Sequence, residues 1–434
     1  MKNIHKYFIF GLLTPLLWMG CQEEVFKQID QSYVHNVSMP IVLTSFAPME
    51  GSEAAEISID GDNFSTDISK IQVLVNGVEV PILGANKKRI IVKIPQGTGT
   101  GKIRIKIGNQ EIESKDSFIY ALKRTVSTYA LSGNGATFNF FVNAGMDIDS
   151  KGNLYVADVF NNCIRKISAS GEISTYAGIS GQEGNVNGST QVALFNHPTD
   201  IAFDADDNMY VADTWNWAIR KVSTAGEVST VKAWVVPFPQ GITFNRSNGS
   251  LYIVSALPAA SQGKMFELKG DGQFVERSVD VPIVSGGICL DKNNQLIIAD
   301  NGKSVIYRIN PTTWTKEIIA GSENQKGWQD GVGEQARFNH PWGVAVDKDN
   351  NIYVAGSGHL FDNPDIATNA SNIRMIEAGT NKVSTIAGGG TMGFFDGLGG
   401  EAKFAVPTDL VVDASGVIYV LDKGNLRIRK IITE

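Results

Sequence analysis

Several aromatic side chains in the sequence could contact a polar ligand. Trp215 and Trp217 are two residues apart, and Trp342 follows His340. Aromatic faces with nearby carboxylates and amides suit stacking on sugar C–H groups and hydrogen bonding to hydroxyls. These tryptophans are therefore candidates for binding a polysaccharide or oligosaccharide nutrient. The alternative is that each ring packs inside the fold.

Two aspartates replace glycine within a set of six equivalent positions. The set is Gly145, Asp200, Gly241, Gly287, Gly343 and Asp409. Asp200 and Asp409 could bind a cation such as calcium, or the hydroxyl groups of a ligand. They could equally accept hydrogen bonds from local backbone amides. The sequence predicts no other cofactor.

Two histidines occupy equal positions in Phe-Asn-His-Pro segments. His197 and His340 lie three repeat units apart in a set of six. If the units close into a ring, the two side chains lie on opposite sides, too far apart to share one metal. Each is either a contact for a ligand or a histidine satisfied within its own loop.

The sequence contains no recognised nucleophile motif, neither Gly-x-Ser-x-Gly nor His-Glu-x-x-His. The formal net charge of -7 argues against a nucleic-acid partner, because phosphate neutralisation needs clustered cations. These observations favour a binding protein over an enzyme, without deciding the matter.

The residues above belong to six repeat units of four short β-strands each. The second unit contains Tyr210-Val211-Ala212-Asp213 and then Ile219-Arg220-Lys221-Val222. The position of Asp213 recurs at 158, 255, 300, 356 and 422. Four-stranded units that repeat without helical periodicity are typical of propeller blades.

The Tyr-Val-Ala-Asp run, followed by Asn and an Ile-Arg-Lys-Ile strand, resembles the NHL repeat family. The resemblance implies a six-bladed β-propeller over residues 123–434. The last unit lacks its fourth strand, and a spare copy, Val126-Ser127-Thr128-Tyr129-Ala130, precedes the first unit. We therefore predict that this N-terminal strand closes the ring, which removes an open sheet edge.

Residues 39–122 show alternating β-patterns separated by turns, and this predicts a small β-sandwich. Ile59-Asp60-Gly61-Asp62-Asn63-Phe64, Val75-Asn76-Gly77 and Phe118-Ile119-Tyr120 are similar to an immunoglobulin-like IPT/TIG domain. The fold class is accordingly all-β, with an immunoglobulin-like sandwich before the propeller. Such modules mostly space or dock other domains.

The first twenty residues read as a lipoprotein signal peptide. Lys2 and Lys6 precede an apolar stretch that is too short to span a bilayer, and Gly20-Cys21 resembles a lipobox. Residues 21–38 would form a tether. The acidic pair Glu23-Glu24 resembles the surface-export signal of Bacteroidetes lipoproteins. We expect an exported protein, lipid-anchored through Cys21 at the outer membrane, on the cell surface.

These features favour a non-catalytic surface protein that binds a nutrient, in the first place a glycan, on the loop-rich face of the propeller. Other outer-membrane uptake proteins are possible partners, and the lipid is the one predicted membrane contact. An alternative is a propeller enzyme of the lactonase, hydrolase or lyase type, which would use Asp200, Asp409, His197 or His340 near the channel. A scaffold for protein–protein interaction is the third hypothesis.

Overall fold

A computed structural model describes residues 33–133, 137–140, 144–255, 263–281, 285–356, 371–389 and 391–434. The chain forms two compact units. One contains the described residues up to Lys123 together with Glu434, and the other runs from Arg124 to Thr433. The only helices in the described ranges are 3₁₀ turns, namely Ile68–Lys70, Val159–Asn161, Thr214–Asn216, Gly333–Gln335 and Lys423–Asn425. The predicted all-β class is confirmed.

The first unit is a sandwich of two sheets. In order of pairing, one sheet contains Val42–Ala47, Glu56–Asp62, Arg89–Lys93 and Ile82–Ala85; the other contains Glu50–Gly51, Gln110–Tyr120, Gly101–Ile107, Ile71–Val75 and Val78–Glu79. The alternating Lys and Ile of the strand Gly101–Ile107 explain its two faces. Its isoleucines enter the core between the sheets, while Arg104 pairs with Glu111 at 3.1 Å on the outer face.

The second unit contains six antiparallel sheets, which we call blades 1 to 6. Blade 1 contains Met146–Ile148, Leu154–Asp158, Cys163–Ile167 and Ile173–Ala177; blade 2 contains Pro198–Phe203, Met209–Asp213, Ala218–Val222, Glu227–Ala233 and the short Gly188–Ser189; blade 3 contains Pro239–Asn245, Ser250–Ser255, Gly263–Leu268 and Phe274–Val281. Blade 4 contains Ser285–Leu290, Leu296–Asp300, Val305–Ile309 and Lys316–Gly321; blade 5 contains Pro341–Val346, Ile352–Gly356, Asn372–Ile376, Lys382–Ala387 and the short Gly331–Val332; blade 6 contains Pro407–Val412, Ile418–Asp422, Arg427–Thr433, Arg124–Leu131 and the short Gly397–Leu398.

The blades form a closed ring. The first strand of each blade contacts the first strand of the next, and that of blade 6 contacts that of blade 1. Second strands such as Leu154–Asp158 are buried on both faces, because each blade packs between two neighbours. The predicted six-bladed propeller is confirmed.

The ring is closed by the strand Arg124–Leu131. It pairs antiparallel with Arg427–Thr433, with Val126 opposite Ile431. Val126 is only 1% exposed, and it belongs to the core that joins blade 6 to its neighbours. The closing strand predicted from the spare copy is therefore present in the predicted place.

Candidate functional site

Among the described residues, six aromatic side chains neighbour one another in an unbroken line across the loops of blades 1, 2 and 3. Successive ring centroids are 5.7, 4.9, 6.1, 5.4 and 6.2 Å apart. In this order, the side chains of this aromatic row are Phe160, His197, Trp215, Phe238, Trp217 and Trp234. Phe160, Trp215 and Trp234 are 42%, 59% and 71% exposed, whereas the other three are half-buried. The row therefore contains three rings that are partly exposed to solvent.

Two kinds of loop carry the aromatic row. Phe160 and Trp215 lie in 3₁₀ turns between the second and third strands of their blades. Trp234 and Phe238 lie in the loop that leads from blade 2 into blade 3. The two kinds of loop are joined by backbone hydrogen bonds, because the amide of Trp234 donates to the carbonyl of Trp217 at 2.9 Å. Both therefore open on one face of the propeller.

A buried carboxylate at the end of the second strand fixes these loops in three blades. It accepts a 2.7 Å hydrogen bond from an amide in the loop that precedes the blade, and it pairs with an arginine of the third strand at 2.7–2.9 Å. The carboxylate, amide and arginine residues are Asp158, Asn139 and Arg165 in blade 1; Asp213, Asn196 and Arg220 in blade 2; and Asp422, Ala405 and Arg429 in blade 6. The repeated Asp and Arg therefore have a structural role.

The arginine side chain of blade 2 shows how completely this network is buried. Arg220 is fully buried, donates to the carbonyl of Leu194 at 3.0 Å, and lies over the ring of Phe195 at 5.2 Å. Blade 5 has Gly356 in place of the aspartate, and there Arg374 pairs instead with Asp330 at 2.7 Å. The buried guanidinium thus has a carboxylate partner in both arrangements. A partner is needed because an unpaired charge in the interior of a protein is strongly destabilising.

His197 and His340 have the same local geometry in blades 2 and 5. Each has a left-handed backbone with φ of 51°, and each ring Nδ1 lies 2.7 Å from the side-chain oxygen of the preceding asparagine. His340 is buried, whereas the ring centroid of His197 lies 4.9 Å from that of Trp215. Burial lowers the pKa of His197, so its ring is neutral near pH 7. The structure brings His197, but not His340, into the aromatic row.

Trp342 is one of the tryptophans that the sequence made candidates for contact with a ligand. It lies inside the first strand of blade 5, Pro341–Val346, and is 4% exposed. Of the two possibilities that the sequence left for this ring, the structure shows packing inside the fold. Trp342 is therefore no part of the open aromatic surface.

Asp200 and Asp409 line the central channel, and both hold a neighbouring blade. Asp200 accepts a 2.8 Å hydrogen bond from the amide of Ile242 in blade 3, and Asp409 accepts a 2.7 Å bond from Met146 in blade 1. Burial raises the pKa of Asp409 to about 7. Burial and the charge of Asp409 raise the pKa of Asp200 well above its ordinary value. Both carboxyls thus perform the amide-capping role that the sequence offered as an alternative to ligand binding.

The glycines at the equivalent positions leave room for these carboxyls. A Cβ added to Gly145 would lie 2.0 Å from Oδ1 of Asp200, and one added to Gly343 would lie 2.5 Å from the Cα of Asp409. Each aspartate therefore fits against a glycine of the adjacent blade. The two departures from glycine in the repeat are explained by this packing.

A third channel carboxyl, Asp147, was not predicted from the sequence. It accepts a 3.0 Å hydrogen bond from the amide of Phe203 in blade 2, and burial raises its pKa to about 6. The sequence comparison covered the position that Gly145 and Asp200 share in the repeat. Asp147 lies two residues after Gly145, so that comparison could not identify Asp147. The three carboxyls together link blade 6 to blade 1, blade 1 to blade 2, and blade 2 to blade 3.

The central channel contains a cavity of about 650 Å³ that is lined by the first strands of the blades. Asp147, Asp200 and Asp409 are among the acidic side chains that line it. Among the residues that the structure describes, no group of three or more His, Cys, Asp or Glu side chains is arranged to hold a metal ion.

The predicted signal peptide and Cys21 lie outside the described residues, as does most of the predicted tether. Within the described ranges, no helix is long and apolar enough to cross a membrane.

Two known sequence families match parts of the chain. The IPT/TIG domain matches residues 40–120, and the NHL repeat matches residues 338–359 and 404–431. Protein SUPPRESSOR OF QUENCHING 1, chloroplastic, from Arabidopsis thaliana is 30% identical over 295 residues, which are 58% of this chain and 26% of that protein. The chain spans between about a quarter and just under half the length of the curated relatives that it matches.

Solved structures from Bacteroides thetaiotaomicron share the fold over nearly the whole chain. A protein of unknown function is 20% identical with a TM-score of 0.59, over 93% of this chain and 100% of its own. An auxiliary nutrient binding protein is 22% identical with a TM-score of 0.56, over 94% of this chain and 99% of its own. At these identities the likeness establishes the two-domain fold.

Proposed function

We propose that this chain, which contains an IPT/TIG domain and NHL repeats, is a non-catalytic protein that binds a glycan nutrient on its aromatic row. The observation that carries the proposal is the exposure of Phe160, Trp215 and Trp234 in one continuous line of rings. The similarity in fold to an auxiliary nutrient binding protein supports the same class of function.

The chemistry of the row suits a sugar better than a charged ligand. A sugar ring has apolar C–H faces that stack on aromatic rings, and hydroxyls at its edge that need hydrogen-bonding partners. The rings supply the apolar surface, and His197, neutral near pH 7, adds a polar group between Phe160 and Trp215. An exposed apolar surface of this kind on a soluble domain commonly marks a binding site.

Trp215→Ala is expected to weaken glycan binding about thirtyfold, because truncation of a central tryptophan commonly removes about 2 kcal/mol of binding energy. A glycan array on the purified protein would identify the glycan, and calorimetry would measure the affinity of both proteins. Trp328→Ala is the control, since Trp328 lies in the loop that leads from blade 4 into blade 5, across the ring from blade 2. Equal glycan affinity of Trp215→Ala and the unchanged protein would contradict the proposal.

We propose that this binding occurs at the cell surface, on a protein exported and anchored in the outer membrane by lipid on Cys21. The lipobox-like Gly20-Cys21 and the acidic pair Glu23-Glu24 support this location. The nutrient, and other uptake proteins of the same membrane, are the proposed partners. Cys21→Ser is expected to move the protein from the membrane fraction to the soluble fraction on cell fractionation. Retention of this variant in the membrane fraction would contradict the lipid anchor.

A further inference from the structure

The aromatic row is long compared with the contact that a single sugar can make. It crosses the loops of three blades, and its exposed rings include Phe160 in blade 1 and Trp234 in the loop that leads into blade 3. Trp215 is the exposed ring between them, and half-buried rings fill both gaps. A ligand that stacked on one exposed ring would leave the other two in water.

The rings of the row are also inclined to one another. Interplanar angles between neighbours are 87° for Phe160 and His197, and 36° for His197 and Trp215. Further along the row, they are 73° for Trp215 with Phe238 and 53° for Trp217 with Trp234. The row is therefore not a flat platform, and a ligand that follows it meets rings in different orientations.

The backbone holds the row in place before any ligand arrives. Trp217, Trp234 and Phe238 have left-handed backbones with φ of 50°, 64° and 44°. The amide of Trp215 donates to the carbonyl of Asn196 at 3.1 Å, so this loop is tied to the preceding one. Rings that are already fixed lose little entropy on binding, and contacts at successive rings can then add to the affinity.

We infer that the aromatic row binds one turning glycan chain of several sugars along its length, from the loops of blade 1 to those of blade 3. This inference rests on the proposed function and adds to it the class of ligand. The inference rests on three observations. Three rings of the row are exposed, neighbouring rings are inclined to one another, and the backbone of the loops is held by hydrogen bonds.

Isothermal titration calorimetry with malto-oligosaccharides, from maltose to maltoheptaose, tests this inference, because α-1,4-linked glucose chains turn. The expected result is an affinity that rises at least tenfold between maltose and maltohexaose. Cellohexaose, an extended chain of the same sugar, is expected to bind more weakly than maltohexaose. Equal affinity for maltose and maltohexaose, or tighter binding of cellohexaose, would overturn the inference.

Variants at the ends of the row give a second readout. Phe160→Ala and Trp234→Ala are each expected to weaken maltohexaose binding about fivefold to tenfold. The two changes together should reduce the affinity for maltohexaose to that for maltose. Trp328→Ala should change neither the affinity for maltose nor that for maltohexaose. Thermal melting of each variant would verify that the propeller is folded.

The inference and the proposed function fail in different ways. If Trp215→Ala abolishes glycan binding while both end variants bind maltohexaose normally, the proposed function stands and the extended chain is wrong. If the array shows another glycan bound at Trp215 and no malto-oligosaccharide binds, the inferred class of glycan is wrong. If no glycan binds at all, both the inference and the proposed function are wrong.

Discussion

Asp213→Ala is expected to lower the free energy of unfolding by about 3–5 kcal/mol, because it leaves a buried guanidinium without its carboxylate. Arg220 is fully buried and pairs with Asp213 at 2.8 Å. The other oxygen of Asp213 holds the amide of Asn196, next to His197 in the aromatic row. Loss of the carboxylate should therefore reduce both stability and glycan affinity. Urea denaturation followed by tryptophan fluorescence would measure the first effect.

A neighbouring aspartate provides the control for this change. Asp206 is exposed in the hairpin turn between the first two strands of blade 2, and Asp206→Ala should change stability by less than about 0.5 kcal/mol. Asp213→Asn keeps an oxygen that can accept the amide of Asn196 and should be intermediate. If Asp213→Ala and Asp206→Ala were equally stable, the buried pair could not have the stabilising role described above.

Val126→Asp is expected to be still more damaging, because it introduces a carboxylate into the core at the closure of the ring. Val126 is 1% exposed and lies opposite Ile431 in the strand pair that completes blade 6. Burial of an unpaired charge costs on the order of several kcal/mol, which is comparable with the whole stability of many domains. We expect most of the protein to be insoluble, and the soluble remainder to melt at a much lower temperature.

The adjacent residue separates the effect of burial from the effect of charge. Ser127 is half-buried, is on the other face of the same strand and pairs with Lys430, so Ser127→Asp places the new carboxylate beside a cation. This variant should be soluble and should melt near the temperature of the unchanged protein. A stable, soluble Val126→Asp protein would contradict the closure of the ring by this strand.

The sequence predicted the propeller well because its signals are local and repeated. Each Tyr-Val-Ala-Asp run is a strand buried on both faces, and each hairpin follows directly in the chain. Even the long-range closure was predictable, since the last unit lacks a strand that Val126 and its neighbours supply. The pairing therefore follows from counting strands, without any knowledge of tertiary contacts.

The candidate site was predicted only in part, because it depends on contacts between blades. Trp342 follows His340 in the sequence, but the strand begins at Pro341, and this places the ring inside the fold. Phe160 has the same spacing from Asp158 as Trp215 has from Asp213, so comparison of the repeats could have found it. Trp234 and Phe238 lie in a loop with left-handed backbone angles that the residue types do not predict.

The closing strand also constrains when the propeller can be completed. Blade 6 takes one strand from near the start of the domain, Arg124–Leu131, and its other three principal strands from Pro407–Val412, Ile418–Asp422 and Arg427–Thr433. During synthesis on the ribosome, the early strand cannot pair with a principal strand of this sheet until Arg427–Thr433 has been made. Unlike blades 1 to 5, blade 6 cannot form as its residues emerge one after another, so a premature stop before Arg427 would leave the early strand without its principal partner.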